Sequence, residues 1–134
     1  MPEWKIFVFG FGAKESELID RLARGRKNVV NMASANLGIA AELSLLSHCD
    51  VMVSMDSFNM HLASLVGLRC VSIWGATHPY AGFLGWNQKT ADVAQLDMVC
   101  RPCSVFGDKP CARGDYHCLW GIPPSLIISR IDSH

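Results

Sequence analysis

Charge is scarce in this chain. Only 18% of the 134 residues are Asp, Glu, Lys or Arg, and twelve basic residues balance twelve acidic ones. Without an excess of either sign there is no broad field with which to grip nucleic acid or an anionic lipid surface. A local anion site built from a few backbone amides is the electrostatic device that remains open. No stretch approaches the roughly 20 apolar residues of a membrane span. The first apolar run, Ile6 to Gly12, is too short and too poorly flanked for a signal peptide. These absences predict a cytoplasmic protein with no transmembrane segment. Internal repeats and low-complexity stretches are also lacking. Apolar residues are abundant, at 50% of the chain, which suits one globular domain spanning residues 1–134 that buries roughly two-thirds of its unfolded surface.

The apolar residues come in short runs separated by turn signals. Lys5 to Gly10 reads as a strand, broken by Gly10-Phe11-Gly12. Ala13 to Arg24 follows a helical pattern, with Leu18, Ile19 and Leu22 on one face and Gly25 as a stop. Asn28 to Met32 is a second strand, and Ser34 or Asn36 is the expected cap of a helix over Gly38 to Ser47. A third strand runs from Asp50 to Met55. Ser57 is placed to cap a helix from Phe58 to Val66, and Cys70 to Trp74 is a fourth strand. From Gly75 to Asp97 the pattern loosens into a loop, and Pro123-Pro124 open a last helix over Ser125 to Ile131. Strands alternating with helices over short connections predict an α/β fold, a Rossmann-like parallel sheet with helices on both sides.

In open sheets of this kind ligands bind beyond the carboxyl ends of the strands. Three segments are expected there: Gly10 to Glu15, Met55 to His61, and Gly75-Ala76-Thr77-His78-Pro79. In the second, Asp56 ends a strand and Ser57 begins a helix. The free N–H groups of a first helical turn carry partial positive charge and suit a phosphate or diphosphate. His61, four residues after Ser57, adds a possible donor on nearly the same face, and Asp56 can accept from a sugar hydroxyl or orient the loop. The plainer reading is that Asp56-Ser57 only caps a helix and His61 serves a neighbouring backbone group. Gly10-Phe11-Gly12 lacks the third glycine of a dinucleotide fingerprint, which argues against a nicotinamide site. Trp74, Trp86 and Trp120 read as packing residues rather than sugar platforms.

Six cysteines are present. Cys49 and Cys70 lie within apolar segments and read as small core residues. Cys100, Cys103, Cys111 and Cys118 fall within 19 residues and could wrap a structural tetrahedral zinc, with His117 as a substitute ligand. The alternative is four reduced thiols. No cofactor is expected to be required for catalysis.

The run Val53 to Gly67, with Asp56-Ser57 followed by His61-Leu62-Ala63, resembles the signature of glycosyltransferase family 9, the ADP-heptose:lipopolysaccharide heptosyltransferases. Val71 to Pro79 resembles that family's strand ending in Gly-x-Thr-x-Pro. The spacing of Gly12 and Glu15, of Leu37 with Glu42-Leu43, and the late Cys100-Arg101-Pro102-Cys103 and Ile122-Pro123-Pro124 are similar too. The resemblance covers nearly the whole chain. It implies the C-terminal half of a two-lobed GT-B fold, the lobe that binds the nucleotide-sugar donor. The N-terminal acceptor lobe, which carries the catalytic acidic residue, is absent from this match. By position Asp56, Ser57, Phe58, His61 and Thr77 would meet the donor, Glu15 would lie near the ribose, and Leu37 would line the base pocket. The chain departs from the pattern at Phe58, where the family has glycine. Phe58 still offers its N–H, but its side chain must turn away. The implied partners are an ADP-sugar donor and, through the other lobe, a lipopolysaccharide core acceptor, which would bring the whole protein to the inner membrane surface. The direct opening on a strand suggests a module of something larger.

Two other readings compete. A phospho-accepting receiver domain would use Asp56 and Lys109, but it needs an acidic pair after the first strand, and Gly10-Phe11-Gly12-Ala13 offers none. A nucleotide-sugar-binding or zinc-stapled interaction module would keep the fold without the transfer chemistry.

Overall fold

A computed structural model describes residues 3–133. Where the sequence reads as one domain, internal contacts divide the chain into two compact units, Met1–Glu42 and Leu43–His134. Both are α/β, and every strand pairing is parallel.

In the first unit, β1 (Ile6–Val8) pairs with β2 (Val29–Asn31), Ile6 opposite Val29. The connecting helix α1 (Gly12–Ala23) packs against β2. Gly10 sits at the turn between them because nothing larger fits. A Cβ there would lie 2.8 Å from Ile19 Cδ1 and 3.0 Å from Glu15 Oε2. The Asn31 side-chain amide fixes the helix to the strand by donating toward Ser16 O, Ser16 Oγ and Asp20 Oδ1 at 3.1, 3.2 and 2.8 Å. Of the expected apolar face only Ile19 is buried, while Leu18 and Leu22 remain exposed. The expected caps of the next helix, α2 (Ile39–Leu46), need correction. Ser34 Oγ donates to Asn31 O instead. Asn36 takes a left-handed turn at φ 48°, two residues before Gly38, whose carbonyl accepts from Glu42.

The second unit carries a three-stranded sheet in the order β3 (Met52–Met55), β4 (Cys70–Trp74), β5 (Val93–Gln95). The central strand β4 is the most buried, and Cys70, Val71, Ser72 and Trp74 are inaccessible to solvent. An apolar run without alternation is what a strand covered on both faces requires. The indole of Trp74 finds its partner within the same strand, donating to Ser72 Oγ at 2.9 Å. Helix α3 (Phe58–Leu65) connects β3 to β4 and packs on both, burying Met60, Leu62 and Ala63. A one-turn helix α4 (His117–Trp120) follows the cysteine segment, and α5 (Pro124–Ile131) packs on β4 and β5.

Strand β5 and helix α4 lie in stretches that the sequence pattern leaves irregular. Each is three or four residues long, too short to show a period. β5 exists because β4 offers it a ladder, with Ser72 opposite Val93 and Trp74 opposite Gln95.

Candidate functional site

β3 and β4 run parallel in register, Met55 beside Ile73. The segments that follow them therefore leave the sheet at the same edge, one strand spacing (~4.8 Å) apart. These are Asp56-Ser57 with the start of α3, and Gly75-Ala76-Thr77-His78. Two of the three segments expected to converge are thus neighbours. The third, Gly10 to Glu15, belongs to the first unit, as does Leu37, which lies exposed in the turn before α2. Glu15 there uses Oε2 to accept from Phe11 N at 2.7 Å, closing the start of α1 from within.

Ser57 occupies the N-cap position of α3 with extended dihedrals, φ −151° and ψ 170°, yet its side chain makes no capping bond. Its hydroxyl pairs instead with Ser54 Oγ at 2.9 Å. Ser54 also donates to Met55 O, and in that state Ser57 is the donor to Ser54. The cap reading was right about position and wrong about the bond. The consequence is chemical: the first-turn N–H groups of α3 keep their positive ends without a side-chain cap. The side chains of Asp56 and His61 make no hydrogen bond or ion pair among the described residues, and His61 is exposed. Phe58 is 63% exposed, so its ring points to water while its amide stays in the first turn, as its place in the motif demands.

The second segment is tied down on one side. The Arg101 guanidinium donates to Gly75 O, to Thr77 O at 3.0 Å, to Leu96 O and to Gln95 Oε1 at 3.0 Å. Cys103 adds its backbone N–H to Ala76 O at 3.2 Å, and its thiol faces the same oxygen at 3.8 Å. Behind the segment, a Cβ on Gly75 would lie 3.3 Å from Leu119 Cβ, so α4 closes directly on this glycine. Burial lowers the proton affinity of Arg101, and the Cys118 thiol and the Asp97 carboxylate draw it back up. His78 caps the short turn that follows, accepting from Tyr80 N at Nδ1 (3.1 Å), with the two rings 4.4 Å apart. Thr77 keeps its hydroxyl free of any hydrogen bond among the described residues.

Arg101 was not singled out by the sequence reading as a functional residue. The available signal was an arginine, flanked by Cys and Pro, in a charge-poor segment after the last strand. Trp74 is core as expected, whereas Trp86 and Trp120 are 78% and 81% exposed.

The zinc expectation is not met by the geometry. Among the described residues, no group of three or more His, Cys, Asp or Glu side chains is gathered to hold a metal. Each thiol has its own surroundings: Cys118 is buried on α4, Cys100 is exposed, Cys103 faces Ala76 O, and Cys111 sits in a turn of backbone amides. They remain close enough for Cys103, Cys111 and Cys100 to raise the Cys118 thiol after burial has done so, with Arg101 opposing.

Comparison with known proteins gives a consistent answer. The model of glycosyltransferase family 9 (heptosyltransferase) matches residues 2–112. The chain is 27% identical over 131 residues to lipooligosaccharide heptosyltransferase 2 of Campylobacter jejuni subsp. jejuni serotype O:6, covering 95% of this chain and 40% of that protein. It is 27% identical over 129 residues to the protein of the same name from serotype O:2, covering 93% of this chain and 39% of that one. The chain thus spans about two-fifths of the length of these relatives. No solved structure matches it.

Proposed function

Because the chain belongs to glycosyltransferase family 9, the heptosyltransferases, we propose that it forms the donor-binding lobe of an enzyme moving a heptose from an ADP-sugar to a lipooligosaccharide or lipopolysaccharide core. The observation that carries this reading is the uncapped start of α3 beside the β4 loop. Two sets of backbone amides, with His61 one turn into the helix, face the edge where a diphosphate would lie. Transfer displaces a nucleoside diphosphate from the anomeric carbon. Its charge grows as the bond breaks, and pre-aimed N–H groups stabilise that charge without reorganising. Asp56 would accept from hydroxyls of the sugar. Thr77 offers a free hydroxyl in the loop after the neighbouring strand. The base that takes the acceptor's proton would come from the other lobe. No helix among the described residues is long and apolar enough to cross a membrane. We place the reaction at the cytoplasmic face of the inner membrane, where such an acceptor is assembled.

Calorimetric titration with ADP, UDP, GDP and NAD at matched salt tests the reading. ADP is expected to bind best, and to bind about tenfold more weakly to His61→Ala, the loss of one charge-assisted hydrogen bond. Asp56→Ala, whose carboxylate serves the sugar, is expected to weaken ADP-heptose about tenfold and to leave ADP unweakened. Equal binding of ADP by wild type and His61→Ala would place the nucleotide elsewhere.

A further inference from the structure

The β4 loop and Arg101 carry a second consequence. In a trans peptide unit the C=O of one residue and the N–H of the next point in opposite directions. The carbonyls of Gly75, Ala76 and Thr77 are all taken, two by Arg101 and one by Cys103. The N–H groups of Ala76 and His78 therefore point away from Arg101 and that of Thr77 away from Cys103, and none of the three meets an acceptor among the described residues. Successive unpaired amides of a bent segment are the groups from which an anion-binding concavity is built. They leave the sheet next to the uncapped first turn of α3.

We infer that Arg101 is a positioning residue that aims the amides of Ala76, Thr77 and His78 at the donor's diphosphate. The inference rests on the donor-lobe reading above. Arg101 reaches both strand ends at once, holding the β4 loop through Gly75 and Thr77 and the β5 end through Gln95 and Leu96. Its own charge is spent on carbonyl oxygens, so it acts through the loop and not by touching the anion. A planar guanidinium with five donors fits that task. A lysine ammonium, with three donors on a point charge, can hold only part of the set.

The test uses amide NMR of the 134-residue chain with ADP, adenosine and inorganic pyrophosphate, alongside calorimetry of wild type, Arg101→Gln and Arg101→Lys. In wild type, the amide resonances of Ala76, Thr77 and His78 should shift with ADP and pyrophosphate and stay put with adenosine. Arg101→Gln should bind ADP about tenfold more weakly with adenosine binding unchanged, and Arg101→Lys should recover part of the loss. A purely structural arginine would weaken both ligands together. If wild type binds ADP, and His61→Ala weakens it, but the three amides do not move, the role of Arg101 is overturned while the donor lobe stands. If wild type binds neither ADP nor pyrophosphate, both readings fall. If Arg101→Gln does not fold, Arg101→Lys decides the matter: weaker binding of ADP with adenosine unchanged supports the role, and binding of ADP equal to wild type overturns it.

Discussion

At the scale of single residues the thiols separate sharply. Cys70 is wholly buried in β4, and burial first, then the negative charge of Asp92, pushes its thiol up to about 12 against a hydrogen bond from the Ser54 backbone. Cys111 goes the other way. The backbone N–H of Tyr116 leads in lowering its proton affinity, with those of Arg113, Gly114 and Asp115 adding to the effect against some desolvation. Since the thiolate is the nucleophile, the order of reaction follows from these directions. Under reducing conditions, iodoacetamide labelling of the native chain should reach Cys111 first as pH rises from about 6 to about 9. Cys70 should stay unlabelled until the chain is unfolded. Peptide mass spectrometry reads this directly, and native-state labelling of Cys70 in step with Cys111 would contradict the burial argument. The neighbouring Asp115 carboxyl is held down to about 2 by hydrogen bonds from Arg113 and the His117 amide. It therefore stays ionised, and the turn around Cys111 intact, across that whole range. Sequence already set Cys70 apart as a core residue; what sets Cys111 apart within its own cluster is which backbone amides fold around it, and that is set by turns such as Tyr116 at φ 49°.

At the scale of elements, the end of α5 is tied to the sheet through Arg69, which also pairs with Asp92. Arg69 donates to both carboxylate oxygens of Asp92, the closest approach being 2.6 Å, and its remaining N–H groups reach the carbonyls of Arg130 and Ile131 at the end of the helix. A cation on helix-end carbonyls is favourable electrostatically. The Asp92 side chain is only 2% exposed, so removing Arg69 takes a two-point partner from a buried carboxylate and two contacts from the end of α5. Arg69→Ala should therefore destabilise the chain by about 3 kcal/mol, and urea unfolding should show a fall in midpoint. A loss below about 0.5 kcal/mol would mean the pair contributes little beyond its desolvation cost. Elements with their own pattern were legible from sequence: β4 over Cys70–Trp74 was read to the residue, and α3 to within one. β5 and α4 were not, because each depends on a partner for its existence. The Ser54–Ser57 bond illustrates the same limit at the site. Sequence placed Ser57 at the N-cap, but which acceptor or donor its hydroxyl chooses is decided by a residue on the preceding strand.

At the scale of the whole molecule, the donor reading makes a claim about what these 134 residues do by themselves. They span about two-fifths of the length of the heptosyltransferases they match. On that reading the groups brought together at the edge of the second unit would serve one half of a displacement. The amides at the start of α3 and in the β4 loop, with His61, would stabilise the departing diphosphate. Asp56, the carboxylate at the head of α3, would then sit among those donors on the leaving-group side. A nucleophile displacing the diphosphate must enter from the opposite side of the anomeric carbon, so Asp56 is badly placed to take its proton. Without a positioned base the 10²–10⁴-fold contribution typical of general base catalysis is missing, and without an acceptor site so is the far larger gain from holding the two substrates together. The 134-residue chain should therefore bind ADP yet give no transfer from ADP-heptose to a heptose-deficient lipooligosaccharide core, while a full-length family member run in parallel does. Mass spectrometry of the acceptor measures the outcome. Heptosylated acceptor above the no-protein control would show that a base and an acceptor site lie within these residues.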